Sequence, residues 1–286
     1  MRPIDVLHLG RERVICCWQL GEVLVDPGPS SCLPTLLEKL GDDRPRALLL
    51  THIHLDHAGA SGSLVRRWPD LQVYVHERGA RHMADPARLL ASAKRLYKED
   101  MDRLWGEFIA VPQENLHPLT GGEQLTIGNG TFDVAYTPGH ASHHVSYLHN
   151  GTAFVGDVGG VRIVPGAPAI PPTPPPDIDL EAWHSSIARI KAWGPTALAF
   201  THFGSSDTPQ EQLDEVDERL DRWAEAARHQ TEQIWTATIT ANIRASAASD
   251  GAFAAYMQAV PTDQAYAGLR RYWQNRAEAA TARAEG

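Results

Sequence analysis

The spacing of apolar and polar positions divides the chain into a strand-rich part and a helical end. Residues 6–9, 14–18 and 23–25 are short apolar or alternating runs separated by turn residues, which predicts three strands near the start. Leu33, Leu36, Leu37 and Leu40 then fall on one helical stripe. Residues 47–50 are continuously apolar, as a strand buried on both faces should be. A helix over 60–68, stopped by Pro69, and an alternating strand over 71–75 follow. Residues 86–105 place Leu89, Leu90, Ala93, Leu96, Tyr97, Met101 and Leu104 at helical spacing, so about 80–111 reads as a helical insertion with a packing role. Strands return at 125–127 and 132–136, joined by Gly128-Asn129-Gly130 as a hairpin, and again at 145–148, 153–155 and 197–200. The proline-rich segment 165–176 suits neither a helix nor a central strand. Residues 180–193 predict a helix with Asp177 or Asp179 as its cap. From Thr208-Pro209 onward the pattern is helical only. Leu213, Val216, Leu220, Trp223 and Ala227 line one face of a long amphipathic helix, and breaks fall near 249–251 and Pro261. The reading is therefore α/β (α+β): residues 1–206 as one layered domain and 207–286 as a C-terminal helical region.

Chemistry-bearing residues gather where the apolar runs stop. The run at 47–50 leads into Thr51-His52-Ile53-His54-Leu55-Asp56-His57, the pattern H-x-H-x-D-H. In extended chain, residues two apart point the same way, so His52 and His54 can close on one ion, while Asp56 and His57 diverge. The strand at 132–136 runs into Thr137-Pro138-Gly139-His140, that at 153–155 into Gly156-Asp157, and that at 197–200 into Thr201-His202. Active sites of layered sheets collect at such strand ends. Imidazole and carboxylate are the donors expected of a metal that keeps an open position. If the strands share one core, His52, His54, Asp56, His57, His140, Asp157 and His202 converge, too many donors for one tetrahedral ion. Two ions sharing a carboxylate, about 3.5–4 Å apart, account for them. The proline-rich segment follows Asp157 closely, which predicts that it passes near the mouth of the site.

The series H-x-H-x-D-H, T-P-G-H, G-D and T-H, with the early Asp26 loop, resembles the metallo-β-lactamase-fold hydrolases over about residues 4–204, and within them the glyoxalase II-like branch, which also carries a C-terminal helical part. The resemblance implies a four-layer αββα sandwich. It implies His52, His54 and His140 on one metal, Asp56, His57 and His202 on the other, and Asp157 as the bridge. Asp56 and Asp157 would act with a metal-bridging hydroxide as the nucleophile. Asp26 would hold the histidine loop, and His144 would support the ligands without joining them. His143 stands where relatives often have Gly and would face the substrate. The implied cofactors are two divalent ions, zinc first, with iron or manganese also suited to His and carboxylate ligands.

Composition narrows the partners. A net charge of −9 disfavours nucleic acid, which needs clustered Lys and Arg. No apolar run has the length of a membrane span, and Asp5 interrupts the start before any signal-type apolar stretch. Cys16, Cys17 and Cys32 form neither a paired framework nor a metal knuckle. These features fit a cytoplasmic enzyme of small molecules, and they leave homo-oligomerisation open. The expected reaction is hydrolysis of a small ester, thioester or lactone. The alternative is a mononuclear iron persulfide dioxygenase of the same fold using His52, His140 and Asp157. A nuclease or phosphodiesterase reading is weakened by the acidic charge.

Overall fold

The computed structural model describes residues 1–285, and its centre is a pair of facing six-stranded sheets. The first sheet runs in chain order: β1 (Arg2–Asp5), β2 (Cys16–Leu20), β3 (Val23–Val25), β4 (Ala47–Leu49), β5 (Gln72–His76) and β6 (Leu116–Leu119). Its β1 to β3 pair antiparallel and its β3 to β6 parallel. The second sheet contains β7 (Gln124–Ile127), β8 (Gly130–Tyr136), β9 (Val145–His149), β10 (Thr152–Phe154), β11 (Ala197–Ala199) and β12 (Ser205–Ser206), again side by side in chain order. The pair β10 and β11 is parallel and its other pairs are antiparallel.

The period-two pattern decides the layers. Cys16, Trp18, Val23, Val25, Ala47 and Leu49 of the first sheet form one apolar cluster with Phe132, Val134, Val145, Tyr147, Phe154 and Ala199 of the second. The residues between them, among them Cys17, Leu24, Leu48, Ala153 and Leu198, belong to a separate cluster with side chains from the helices. The central strands are thus apolar on both faces, and helices cover the outer ones. The helical layers are α1 (Leu33–Leu40), α2 (Leu55–Ala58), α3 (Ser61–Arg67), α4 (Glu77–Ala84), α5 (Ala87–Tyr97), α6 (Met101–Trp105) and α7 (Leu180–Ala192), followed by α8 (Pro209–His229), α9 (Glu232–Ser246), α10 (Asp250–Ala259) and α11 (Thr262–Glu285). Two polar-tipped aromatics lock the sheets together at the strand ends that matter. The Trp18 indole N–H donates to the Phe200 carbonyl (2.9 Å), and the Tyr147 hydroxyl donates to the Leu50 carbonyl (2.8 Å).

Three local expectations shift. The strand expected at 6–9 lies at Arg2–Asp5 instead. The Asp5 carboxylate accepts from the Leu7 and Arg13 amides, and Leu7 and Leu9 turn into left-handed conformations (φ 53 and 56). β6 has no counterpart in the apolar pattern because Pro118 lies in it; it is an edge strand, where a missing donor is tolerated. The helix expected over 86–105 breaks at Lys98 (φ 48) into α5 and α6, and none of their residues is fully buried. Other ends follow the expected chemistry: Asp179 caps α7 by accepting from the Ala182 amide (2.9 Å), and Ser249 caps α10 from Ala252 (3.1 Å). The C-terminal helices are tied to the core. Tyr272 donates to Glu181 of α7 (3.0 Å), and the Trp273 indole donates to the Ala224 carbonyl of α8 (2.7 Å). No helix among the described residues is long and apolar enough to cross a membrane.

Candidate metal centre

β4 ends at Leu49, the chain bends at Thr51, and His54 is extended (φ −60, ψ 151) before α2 begins. This loop brings the His52 and His54 rings together, and the turn into α2 sends Asp56 and His57 a different way. His52 Nε2 and His140 Nε2 each lie 3.0 Å from His54 Nδ1. Three ring nitrogens at that spacing require a proton or a cation between them. A second group forms beside the first. His57 Nε2 lies 3.8 Å from Asp56 Oδ2, and His202 Nε2 lies 3.3 Å from it. Asp157 stands between the groups. Its Oδ2 is 3.2 Å from His140 Nε2, and its Oδ1 is 3.3 Å from His57 Nε2 and 3.6 Å from His202 Nε2. All seven residues expected at the site are therefore brought together.

The rear of each ring explains why the front is presented. His140 Nδ1 faces the Pro172 carbonyl (2.9 Å), and His202 Nδ1 faces the Val14 carbonyl (2.6 Å). A carbonyl only accepts, so each Nδ1 carries the proton and each Nε2 keeps its lone pair for the site. His57 Nδ1 donates to Asp26 Oδ2 (2.8 Å) with the same result. Asp26 is completely buried and left-handed (φ 49). Its Oδ1 accepts from the Thr51 amide (2.8 Å), and its Oδ2 also accepts from the Thr51 and Thr201 hydroxyls (2.7 Å each). Thr51 Oγ1, its proton given to Asp26, lies 3.1 Å from His52 Nδ1 and accepts from it. One buried carboxylate thus connects the strand ends carrying His52, His57 and His202.

The donor set fits metal ions on a test internal to the molecule. Buried polar atoms almost always find partners. His57 Nε2 and Asp157 Oδ1 are buried without a hydrogen-bond partner, and both point between the two groups. The triads His52, His54, His140 and His52, His57, Asp157 and Asp56, His57, His202 each place one donor atom within 4.8 Å of the others. Electrostatics agrees. Burial holds His52 and His140 below the usual imidazole range and His54 down to about 4, so these rings stay neutral and able to bind a cation. Burial also opposes a charge on His57, but the Asp157, Asp56 and Asp26 carboxylates outweigh it and hold that ring well above its ordinary value. His202 is raised in the same way by Asp157 and Asp56. Burial works against ionised Asp56 and Asp157, yet the surrounding imidazoles keep both below the usual carboxylate range. The pocket therefore attracts positive charge, which protons or metal ions can supply.

Residues 21–202, well over half of the chain, match the model of the metallo-beta-lactamase superfamily. The chain belongs to that superfamily. It is similar to the metallo-beta-lactamase fold-containing protein ST1585 of Sulfurisphaera tokodaii, 27% identical over 212 residues, which cover 71% of this chain and 76% of the relative. The crystal structure of ST1585 superposes over 94% of this chain and 97% of its own, with a TM-score of 0.72 and 22% identity. TTHA1429 of Thermus thermophilus, a metallo-beta-lactamase family protein, superposes with a TM-score of 0.66 and 22% identity over 93% of this chain and 88% of its own. The hydroxyacylglutathione hydrolase of Yersinia enterocolitica is 30% identical over 151 residues, which are 51% of this chain and 47% of that enzyme. The four-layer αββα fold expected from the motifs is the fold of this superfamily.

Around the superfamily motifs, the remaining expected residues take distinct places. His144 is fully buried and reaches the Thr137 hydroxyl (2.9 Å) through Nδ1, bracing the loop that presents His140. His143 is also buried. It accepts weakly from the Ile53 amide (3.4 Å) and lies against the His52 and His54 rings. His54 and Asp56 are the half-buried members of the seven, so the opening lies on their side. An aromatic cluster with no counterpart in the sequence motifs joins the start of the chain to the helical insertion. His8, which the sequence pattern suggests is structural or at the surface, is buried and stacks on Trp105 (5.3 Å between centroids), and Trp105 meets Tyr97 edge-on (5.0 Å). Burial pushes the Tyr97 phenol up, and the Asp56 charge adds to it. The His8 ring nitrogens contact the Leu104 carbonyl (2.8 Å) and the Gln258 amide (2.8 Å), linking α6 to α10. The three cysteines are buried, and burial pushes Cys16 up to about 12 and Cys32 up to about 11, which leaves no reactive thiolate.

Proposed function

We propose that this chain is a dinuclear metal-dependent hydrolase of a small ester, thioester or lactone. The observation that carries the proposal is the placement of Asp157, whose two oxygens face separate donor groups, Oδ2 toward His140 and Oδ1 toward His57 and His202. One group is His52, His54 and His140, and the other is Asp56, His57 and His202. Zinc suits these donors, and iron or manganese suits them as well. Ions held there would lower the pKa of bound water toward about 7 and polarise a scissile carbonyl. The chain's own residues do the rest. Asp157 fixes the separation of the two groups and offsets their charge. Asp26, Val14 and Pro172 hold the protons at the rear of His57, His202 and His140. Asp56, half-buried beside the opening, is held ionised by His57 and His202 and completes the second donor group. Similarity to hydroxyacylglutathione hydrolases over half the chain supports an acyl substrate.

The test is elemental analysis of protein purified without added metal, beside an ester, thioester and lactone panel and an oxygen electrode with a persulfide substrate. Close to two ions per chain and hydrolysis of a panel member are expected. Saturation at one ion with oxygen uptake would overturn the proposal in favour of the persulfide dioxygenase.

A further inference from the structure

The proline-rich segment, expected near the mouth of the site, has its ends exposed and its middle buried. Pro171, Pro172 and Thr173 are buried, and the Pro172 carbonyl is the group that His140 Nδ1 contacts. What holds that carbonyl is the last helix. The Thr173 hydroxyl donates to the Ala265 carbonyl of α11 (3.0 Å). One turn further on, Gly268 presents a bare Cα to the same segment. A Cβ there would lie 2.0 Å from the Thr173 carbonyl oxygen and 2.8 Å from the Pro174 carbonyl carbon. Here glycine answers to close approach rather than to backbone conformation, since it lies inside a helix. α11 is itself fixed to the core through Tyr272, Trp273 and Arg270, whose guanidinium donates to the Ala227 carbonyl.

From this juxtaposition we infer that α11 positions one metal ligand. The path runs from Gly268 and Ala265 through Thr173 to the adjacent Pro172 carbonyl and so to His140, whose ring orientation sets the ion held with His52 and His54. Thr173 and Gly268 are positioning residues. The inference rests on the metal reading above. Thr173 interrupts a run of prolines, Pro171 and Pro172 before it and Pro174, Pro175 and Pro176 after it, so its hydroxyl anchors an otherwise donor-poor segment. Partners behind a ligating histidine typically govern metal affinity by roughly 10–100-fold, because they fix the tautomer and the ring plane. A methyl group at 268 forces the loop back by about 1 Å, since real Cβ contacts stay beyond 3.0 Å. His140 then either loses its acceptor, which frees its tautomer and ring plane, or follows it, which carries Nε2 away from the other two nitrogens.

The experiment titrates metal-free, full-length protein with Zn2+ against a chromophoric chelator and follows thermal unfolding of the same samples. The variants are Gly268→Ala, Thr173→Val and Thr173→Ser, with His140→Ala as the reference that marks which binding step belongs to this ligand. Gly268→Ala and Thr173→Val are expected to weaken the step that His140→Ala removes by roughly tenfold or more, with the other step within about twofold of wild type. Thr173→Ser should restore wild-type affinity. If Gly268→Ala does not fold, Thr173→Val decides alone, because valine keeps the shape and loses only the donor. Folded variants with both steps at wild-type affinity, or with both steps weakened equally, overturn the inference while leaving the metal reading intact. A wild-type protein that takes up no ion overturns the metal reading itself.

Discussion

Asp26→Asn isolates how much of the centre depends on one buried acceptor. Asparagine keeps the shape and tolerates the left-handed backbone that Asp26 adopts (φ 49), so backbone strain does not enter. In the wild type all four contacts are donations to the carboxylate, from the Thr51 amide, the Thr51 and Thr201 hydroxyls and His57 Nδ1. The new amino group must replace one oxygen. In the place of Oδ1 it faces the Thr51 N–H, which cannot turn away. In the place of Oδ2 it faces His57 Nδ1, and the ring can relieve the clash only by moving its proton to Nε2, where it blocks the site. A buried donor left without an acceptor costs about 1–3 kcal/mol, and each surviving contact falls from a charge-assisted bond to a neutral one, roughly 1 kcal/mol each. Relief of repulsion with Asp56 and Asp157 offsets part of this. The metal-free variant should therefore lose about 3–5 kcal/mol in urea unfolding with an unchanged m-value. Metal affinity of the group containing His57 should fall by roughly 10–100-fold. A variant within about 1 kcal/mol of wild type with unaltered affinity would refute the view that Asp26 dictates the tautomer of His57.

Further outcomes follow from the same geometry. Asp157→Ala should reduce hydrolysis more than His202→Ala at equal metal loading, since it removes the one carboxylate that faces both groups; near-normal rates in Asp157→Ala beside a dead His202→Ala would reassign the bridge. Gly139→Ala should destabilise the protein by about 3 kcal/mol or more, because its Cβ would meet Trp183 Cα at 2.4 Å in a backbone at φ +140, and a thermal shift under about 1 °C would contradict this. The pH dependence of metal-free protein has a definite sign. His52, His54, His140, His143 and His144 are held below their unfolded value, so the unfolded chain binds more protons below about pH 6.5 and stability falls on acidification. His57 and His202 are raised, so their contribution is complete below about pH 6.5 and is lost as pH rises through their folded values. Denaturation at a series of pH values should give a stability maximum near neutral to slightly acid pH, and a monotonic rise from about pH 5 to 9 would contradict it.

How much of this was legible in the sequence depends on what kind of atom does the work. The seven donors are side chains at fixed offsets from apolar runs, so spacing and strand ends were enough to group them. Asp26 and His144 were legible through the family motifs, as polar residues flanking the ligand loops. Elements failed where local chemistry overrode the pattern: Asp5 captured two amides and ended β1 early, Lys98 split one helical stripe in two, and Pro118 disguised an edge strand. The packing of His8 on Trp105 and Tyr97 was not legible because it joins the start of the chain to the distant helical insertion with no shared motif.

The rear contacts of the clustered histidines divide along the same line. His57 is oriented by a side chain, Asp26, whereas His140 and His202 are oriented by the carbonyls of Pro172 and Val14. A carbonyl belongs to every residue, so its role leaves no signature at its own position. What must be specified is where the backbone runs, and that is set elsewhere, by the Thr173 anchor and the bare Cα of Gly268 for one ligand and by the β2 edge that Val14 precedes for the other. The centre's geometry is then as much a property of α11 and of the strand order as of the H-x-H-x-D-H motif that announces it.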